Sequence, residues 1–148
     1  MTTPSLIERI TAARASQEYQ ALVDLIPYAG FLGLSAAMQG DELITTMRYG
    51  SHLIGNPALP ALHGGTLGAL LESAAVFELL CRSETAVLPK TITLTVDYLR
   101  SGGPVDTHAR GVVTRQGRRV TNVRMEAWQT DPRKPVATAH AVFLVMRS

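Results

Sequence analysis

The feature that most limits how this chain can fold is a helical segment at its centre that is apolar almost all the way round. From His63 to Phe77 the sequence reads HGGTLGALLESAAVF, and Glu72 is its one acidic side chain. A helix on a protein surface shows a polar face, so a helix of this composition must be surrounded by the rest of the chain. The segment therefore predicts a central helix enclosed by other elements.

Alternating segments after this helix supply what could enclose it. From Thr91 onward, apolar and polar residues alternate with period two in four stretches, which is typical of antiparallel strands with one covered face. Turns are predicted at Gln116-Gly117 and over residues 131–135. The predicted inward sets are Ile92, Leu94, Val96 and Tyr98; Ala109, Gly111 and Val113; Val123, Met125 and Ala127; and Ala137, Ala139, Ala141, Phe143 and Val145.

The chain before the central helix has three predicted parts. Residues 4–26 show helical spacing of apolar side chains, and Pro27 is predicted to end that helix. Residues 33–47 are predicted to form two strands around a Gly40-Asp41 turn. Residues 50–62 are predicted to be irregular because prolines interrupt them. The resulting order is helix, two strands, buried helix and four strands, which predicts an antiparallel sheet curled around one long helix.

Composition sets broad limits on the class of protein. The 148 residues suit a single domain spanning 1–148, and the balance of 46% hydrophobic and 18% charged residues is that of a globular protein. No uncharged apolar run of 18 residues is present, so no transmembrane helix is expected. Glu8 and Arg9 lie where a signal peptide needs an apolar core. Because Cys81 is the single cysteine, an internal disulfide is excluded. A single cysteine also fits a reducing compartment, and a cytoplasmic location is therefore predicted.

Charge is unevenly distributed along the chain. Residues 1–80 hold three basic and seven acidic side chains, whereas residues 81–148 hold eleven and five. The net charge of +2 and the aromatic content of 5% argue against nucleic acid as the main partner. The basic second part could bind an anionic ligand or could be the solvated face of a sheet, and composition leaves both interpretations open.

Two features of the central helix could carry chemistry. Glu72 places a carboxylate in an apolar helix, where it must be paired, hydrogen-bonded or protonated. It could be a general base, or it could reach a surface or a structural arginine. Glu78 lies about 240° further around the helix and is predicted to be solvated.

The second feature is His63-Gly64-Gly65 at the helix entrance. Free N–H groups at a helix N-terminus suit an oxygen that becomes negative during a reaction, but a tight turn would need the same glycines. His63 by itself is interpreted as a capping or packed histidine.

Other chemistries find no support in the sequence. A Gly-x-Ser-x-Gly elbow for a serine hydrolase is absent, and so is a glycine-rich loop with Lys-Ser/Thr for phosphate. The four histidines, His52, His63, His108 and His140, have no metal-ligand spacing with Cys81 or with an acidic pair. Neither a metal nor a cofactor is predicted.

The segment from Asn56 to Ala75 resembles the PaaI-like hot-dog thioesterases of phenylacetate degradation. Their signature is His-Gly-Gly, six residues, and then Asp or Glu, which corresponds here to His63-Gly64-Gly65 and Glu72. The resemblance covers about residues 20–146. It also includes residues 26–33, the stretch Val96-Asp97-Tyr98-Leu99-Arg100 and the turn Gln116-Gly117-Arg118.

The resemblance implies an α+β hot-dog fold, in which an antiparallel sheet of about six strands wraps one long central helix, with an N-terminal helix. It implies a homodimer, usually paired into a tetramer, that hydrolyses an acyl-CoA or aryl-CoA thioester without metal or cofactor. Glu72 then matches the catalytic carboxylate, as nucleophile or general base, and the Gly64 N–H matches the group that polarises the carbonyl. Thr91 matches a residue near the reacting water. Asn56 approximates a loop amide, offset by one residue.

Residues with substrate-binding roles follow by the same resemblance. They are Gly65, Tyr98, Arg115, Gln116, Gly117, Arg118 and Arg119, of which the turn from Arg115 to Arg119 matches a segment that contacts CoA. The acyl pocket is expected to be walled by Leu62, Leu67, Leu71 and a partner subunit, but the acyl group itself is not specified. Two rival functions stay open: a non-catalytic acyl-CoA sensor, and a hydratase or dehydratase, which would use a different His/Asp arrangement.

Overall fold

A six-stranded antiparallel sheet wraps one long helix in the computed structural model, which describes residues 2–82 and 87–146. The order of the strands in the sheet is β1-β2-β6-β7-β8-β5. This confirms the predicted fold class and the order of its elements. The helices are α1 (Leu6–Ser16), α2 (Gln20–Val23), α3 (Pro27–Leu32) and α4 (Gly64–Arg82); the strands are β1 (Leu34–Gln39), β2 (Glu42–Met47), β3 (Ile54–Asn56), β4 (Ala61–Leu62), β5 (Lys90–Tyr98), β6 (Thr107–Gln116), β7 (Val120–Trp128) and β8 (Ala137–Leu144).

The core lies between α4 and the concave face of the sheet. Leu70, Leu71 and Phe77 of α4 are fully buried, and so is Phe143 from β8. Burying side chains of this kind is the main stabilising contribution, at about 1.5–3 kcal/mol each. By its 19 residues and mean hydropathy of 1.3, α4 is long and apolar enough to cross a membrane. Its packing against the sheet shows instead that it is the core helix the sequence predicted.

The N-terminal region corrects the prediction of one helix over residues 4–26. α1 begins with a capping box, in which Ser5 and Glu8 satisfy each other's backbone N–H groups. It ends at Ser16 because Gln17 adopts a left-handed conformation with φ of 58°. Pro27 does not simply end a helix; it lies in the first turn of α3, where the fixed φ of proline is favourable.

The predicted strands are confirmed, with two local differences. β1 and β2 form the expected hairpin, and Gly40 in its turn has a φ of 63° that suits glycine. The segment 50–62, predicted to be irregular, contains the short β3–β4 pair. Two residues predicted to face inward from β5 are exposed instead. Ile92 is 53% exposed because a bulge between Thr91 and Thr93 shifts the register of β5 against β8, and Tyr98, the last residue of the strand, is 55% exposed.

Candidate active site

One stripe of α4 is left uncovered by the rest of the chain, and Glu72 lies on it. Ala69, Ser73 and Val76 are half-buried on the same side of the helix, and Gly65 is exposed. Glu72 is also half-buried, and it makes no hydrogen bond or ion pair with any residue that the structure describes. The predicted position on the central helix is therefore correct, but the carboxylate faces out of the core rather than into it.

Glu78, which was predicted to be solvated, is the buried carboxylate of this helix. It is 8% exposed and accepts a hydrogen bond at 2.9 Å from Arg82, one turn later. Because α4 is apolar on all sides, the sequence did not show which side the sheet covers. Glu78 lies about 240° around the helix from Glu72, on a side that contacts the sheet. Burial raises the pKa of Glu78, and the nearby Arg82 opposes this effect.

The raised pKa of Glu78 predicts a pH-dependent contribution to stability. A carboxyl whose pKa is raised in the folded protein costs stability as pH rises from its ordinary value through the folded value. Glu78→Gln removes that cost and keeps an oxygen for Arg82. We expect the difference in melting temperature, variant minus wild type, to be more positive at about pH 7 than at about pH 4. A difference that is the same at both pH values would contradict a raised pKa.

At the start of α4, the N–H groups of Gly64 and Gly65 differ in their hydrogen bonding. The Gly65 N–H donates to Nδ1 of His63 at 2.8 Å, so His63 caps the helix, as interpreted from the sequence. Backbone N–H groups of Thr66 and Leu67 donate to the His63 carbonyl. The Gly64 N–H has no acceptor among residues 2–82 and 87–146. Gly64 therefore presents the open donor that an oxyanion requires.

A surface depression of about 400 Å³ adjoins this entrance, and its lining residues include Gly64, Leu62, Leu67 and Tyr98. Two of the three leucines expected in the pocket wall therefore border it. Leu71 does not, because it is fully buried in the core.

Two other predicted catalytic residues lie away from this depression. The side-chain oxygen of Asn56 accepts from the Ala58 N–H at 3.0 Å, which closes a local turn. In this conformation that oxygen is already engaged. Thr91 lies near the start of β5 and is half-buried.

The arginine turn joins β6 to β7, as predicted. Arg115, Arg118 and Arg119 are exposed and make no ion pair with described residues. Together with Gly117 and other residues they line a surface pocket of about 440 Å³. The turn lies at the Thr91 end of the sheet, since both Val120 and Lys90 pair with Leu144. Three guanidinium groups around one pocket form a surface suited to phosphate oxygens.

The predicted site residues thus form two groups at opposite ends of β5. His63, Gly64, Gly65 and Tyr98 lie at the end of this strand, while Thr91 and the arginine turn lie at its start. A nine-residue strand is about 27 Å long, so the two groups lie far apart within a single chain. Within the two described ranges, no cluster of three or more histidine, cysteine or acidic side chains could hold a metal.

Comparison with known proteins identifies the family of the chain and its fold. A model of the acyl-CoA thioesterase N-terminal domain matches residues 55–144. A solved protein from Chromobacterium violaceum is 37% identical, with a TM-score of 0.77 over 93% of this chain and 96% of that one. A phenylacetic acid degradation-related protein from Ralstonia eutropha is 26% identical, with a TM-score of 0.73 over 86% of this chain and 99% of that one.

A third solved structure carries a ligand. This protein from Bacillus halodurans was solved with CoA; it is 19% identical, with a TM-score of 0.72 over 99% of this chain and 98% of that one. No curated protein sequence matches the chain. The chain belongs to the acyl-CoA thioesterase family and has its hot-dog fold. The resemblance to the PaaI-like group seen in the sequence is thereby confirmed.

Proposed function

We propose that this thioesterase hydrolyses an acyl-CoA or aryl-CoA in sites shared between two subunits of a homodimer, which pair further into a tetramer. In each site Glu72 of one subunit acts as general base or nucleophile, and the Gly64 N–H of the other polarises the carbonyl. One observation supports the proposal above all. The Glu72 carboxylate and the Gly64 N–H both lack partners among the described residues, and they lie too far apart along one helix to act on the same thioester.

The chemistry requires both groups at one carbonyl carbon. With Glu72 as base, the carboxylate takes a proton from water while the water oxygen attacks the thioester carbon. The carbonyl oxygen becomes negative, and the Gly64 N–H donates to it. The C–S bond then breaks, and CoA leaves as a thiolate that takes up a proton. With Glu72 as nucleophile, its oxygen attacks the same carbon first and water hydrolyses the resulting anhydride.

The separation along α4 supports a shared site. Gly64 and Glu72 are eight residues apart, which is about 12 Å along the helix axis. A carboxylate must come within about 3–3.5 Å of the reacting carbon or reach it through one water. A glutamate side chain cannot span the remaining gap along its own helix. A second helix that runs antiparallel would place its own Glu72 beside Gly64.

The edge strand β5 offers the surface for that pairing. It bonds to β8 on one side, its other edge is open, and every one of its nine residues is at least partly exposed. An open edge of this length is a template for another strand. Antiparallel pairing of β5 with its copy about a two-fold axis would bring Thr91 and the arginine turn of one subunit toward Tyr98 and Gly64 of the other. The two groups of site residues would then meet twice per dimer.

The uncovered stripe of α4 supports the same arrangement. Gly65, Ala69 and Ser73 are spaced by four residues, and their small side chains allow the backbone of another helix to approach closely. A helix of the partner subunit would complete the burial of Val76 on this stripe. It would also bring the partly exposed Glu72 into a site from which bulk water is excluded.

The arginine turn is proposed to hold the phosphates of CoA. Its guanidinium groups are exposed and without ion pairs among described residues, and the Bacillus halodurans relative was solved with CoA. Gly65, Gln116 and Gly117 complete the substrate-binding surface. We also propose that the enzyme works in the cytoplasm, where acyl-CoA is its partner.

Replacing Arg118 and Arg119 by Ala is expected to raise KM for acyl-CoA by about tenfold and to change kcat much less, because the lost contacts reach the nucleotide rather than the thioester. The effect should shrink as salt concentration rises. A matched control is the double change Arg133→Ala and Lys134→Ala in the β7–β8 turn, which removes the same charge elsewhere. If a small thioester without the nucleotide suffers equally, the turn is structural.

Steady-state release of free thiol from a panel of short, long and aromatic acyl-CoA esters tests the function as a whole. We expect turnover of at least one ester, and the ranking of kcat/KM will name the acyl group. The rival interpretation, a non-catalytic acyl-CoA sensor, predicts saturable binding of the same esters without thiol release.

A further inference from the structure

Both ends of one peptide unit at the entrance of α4 are held by side chains. The carbonyl oxygen of Gly64 accepts from the Tyr98 hydroxyl at 2.7 Å, and the N–H of Gly65 donates to His63 Nδ1 at 2.8 Å. These two groups belong to the same peptide bond. A planar peptide has no internal freedom, so fixing both of its ends fixes its orientation.

The preceding peptide, between His63 and Gly64, is held at one end only. Its carbonyl accepts from the backbone N–H groups of Thr66 and Leu67 and from the Thr66 hydroxyl, at 2.6 Å for the last. Its N–H, that of Gly64, points away from these partners and has no acceptor in the described chain. Gly64 therefore lies between two oriented peptides, although glycine is the residue with the greatest backbone freedom.

Close packing explains why both positions are glycine. A Cβ at Gly64 would lie 3.2 Å from two ring carbons of Tyr98, and a Cβ at Gly65 would lie 2.9 Å from His63 Nδ1. The rings of the two clamping residues occupy the space that side chains would need. The glycines thus allow Tyr98 and His63 to reach the backbone.

We infer that Tyr98 and His63 are positioning residues that clamp the Gly64–Gly65 peptide and so aim the Gly64 N–H at the thioester carbonyl oxygen. This inference rests on the proposed role of Gly64. It gives Tyr98 a task different from contact with substrate, since its hydroxyl is already committed to the Gly64 carbonyl. A donor fixed in advance needs no reorganisation when the oxygen becomes negative, and this is the source of its catalytic effect.

The first test is Tyr98→Phe, which keeps the ring over Gly64 and removes the hydroxyl. We expect kcat to fall about fivefold to tenfold, with KM within about twofold of wild type, since one positioning hydrogen bond is lost and no substrate contact is. Tyr28→Phe is the matched control, because Tyr28 is as exposed as Tyr98, at 55%, and its hydroxyl makes no hydrogen bond with described residues. It should behave as wild type. A Tyr98→Phe enzyme with wild-type kcat, or one whose KM alone rises, would overturn the clamp.

The second test is a double-mutant cycle with His63→Leu, which removes the acceptor for Gly65. Because both side chains hold the same peptide, the double variant should lose little more kcat than the worse single variant. Multiplicative losses would show that the two side chains act independently and would refute the shared clamp.

A readout without catalysis separates this inference from the proposed function. In nitrogen-15 spectra, Tyr98→Phe should shift the Gly64 and Gly65 amide resonances and speed hydrogen exchange at Gly65, at an unchanged melting temperature and oligomeric state. Unchanged resonances at both glycines would overturn the clamp. If the resonances shift while Glu72→Gln stays fully active, the clamp stands and the proposed role of Glu72 fails.

Discussion

Glu72→Gln should lower kcat by about two orders of magnitude or more while the protein keeps its fold. Gln has nearly the shape of Glu but can neither take a proton from water nor attack a carbonyl carbon. Glu72 is half-buried and has no partner in the described chain, so the change should leave the melting temperature close to that of the wild type. Thiol release from the best acyl-CoA ester measures the effect.

The same chemical change elsewhere on α4 provides the control. Glu78→Gln alters the buried carboxylate on another side of the helix, where it is bound to Arg82, and should leave kcat near the wild-type value. Loss of activity in both variants would indicate general damage to α4. Wild-type turnover in Glu72→Gln would exclude Glu72 as the catalytic carboxylate.

Mixing two inactive variants should restore activity if the sites are shared. One variant is Glu72→Gln. The other is Gly64→Val, whose Cβ would lie 3.2 Å from the Tyr98 ring, so that the ring must shift, and whose branched side chain would stand beside the N–H that the carbonyl oxygen needs. In a mixed dimer, the intact Gly64 of one subunit meets the intact Glu72 of the other at one site, while both defects fall in the second site.

The expected amount of recovered activity follows from random pairing. When equal amounts of the two variants are unfolded and refolded together, about half of the dimers are mixed. Each mixed dimer has one working site of two, so the mixture should show about a quarter of wild-type activity. Each variant refolded alone should stay inactive, and differently tagged subunits should confirm that exchange occurred. Absence of recovery despite demonstrated exchange would mean that each site lies within one chain.

The sequence by itself determined the fold class and the main elements. The apolar composition of residues 63–77 required a covered helix, and period-two alternation identified the four strands that cover it. Both signals are local and repeat over many residues, so single exceptions such as Ile92 did not hide them. The N-terminal helix was wrong in extent because one residue, Gln17, breaks it through its backbone conformation, which no spacing pattern reveals.

Among the site residues, the sequence indicated the region around His63-Gly64-Gly65 and the presence of a carboxylate on the same helix. It selected Glu72 through the resemblance to the His-Gly-Gly signature but wrongly predicted Glu78 to be solvated, because a helix apolar on every side gives no sign of which side the sheet will cover. The structure showed that Glu78 is buried against the sheet and that Glu72 lies on the open stripe.

Only the tertiary structure decided how the helix entrance is held. Tyr98 is 34 residues from Gly64 in the chain, and its hydroxyl meets the Gly64 carbonyl only because β5 folds back along α4. The same folding separates Thr91 and the arginine turn from Gly64 by the length of a strand. Such contacts depend on strand order and register, which are set by long-range packing rather than by any local pattern.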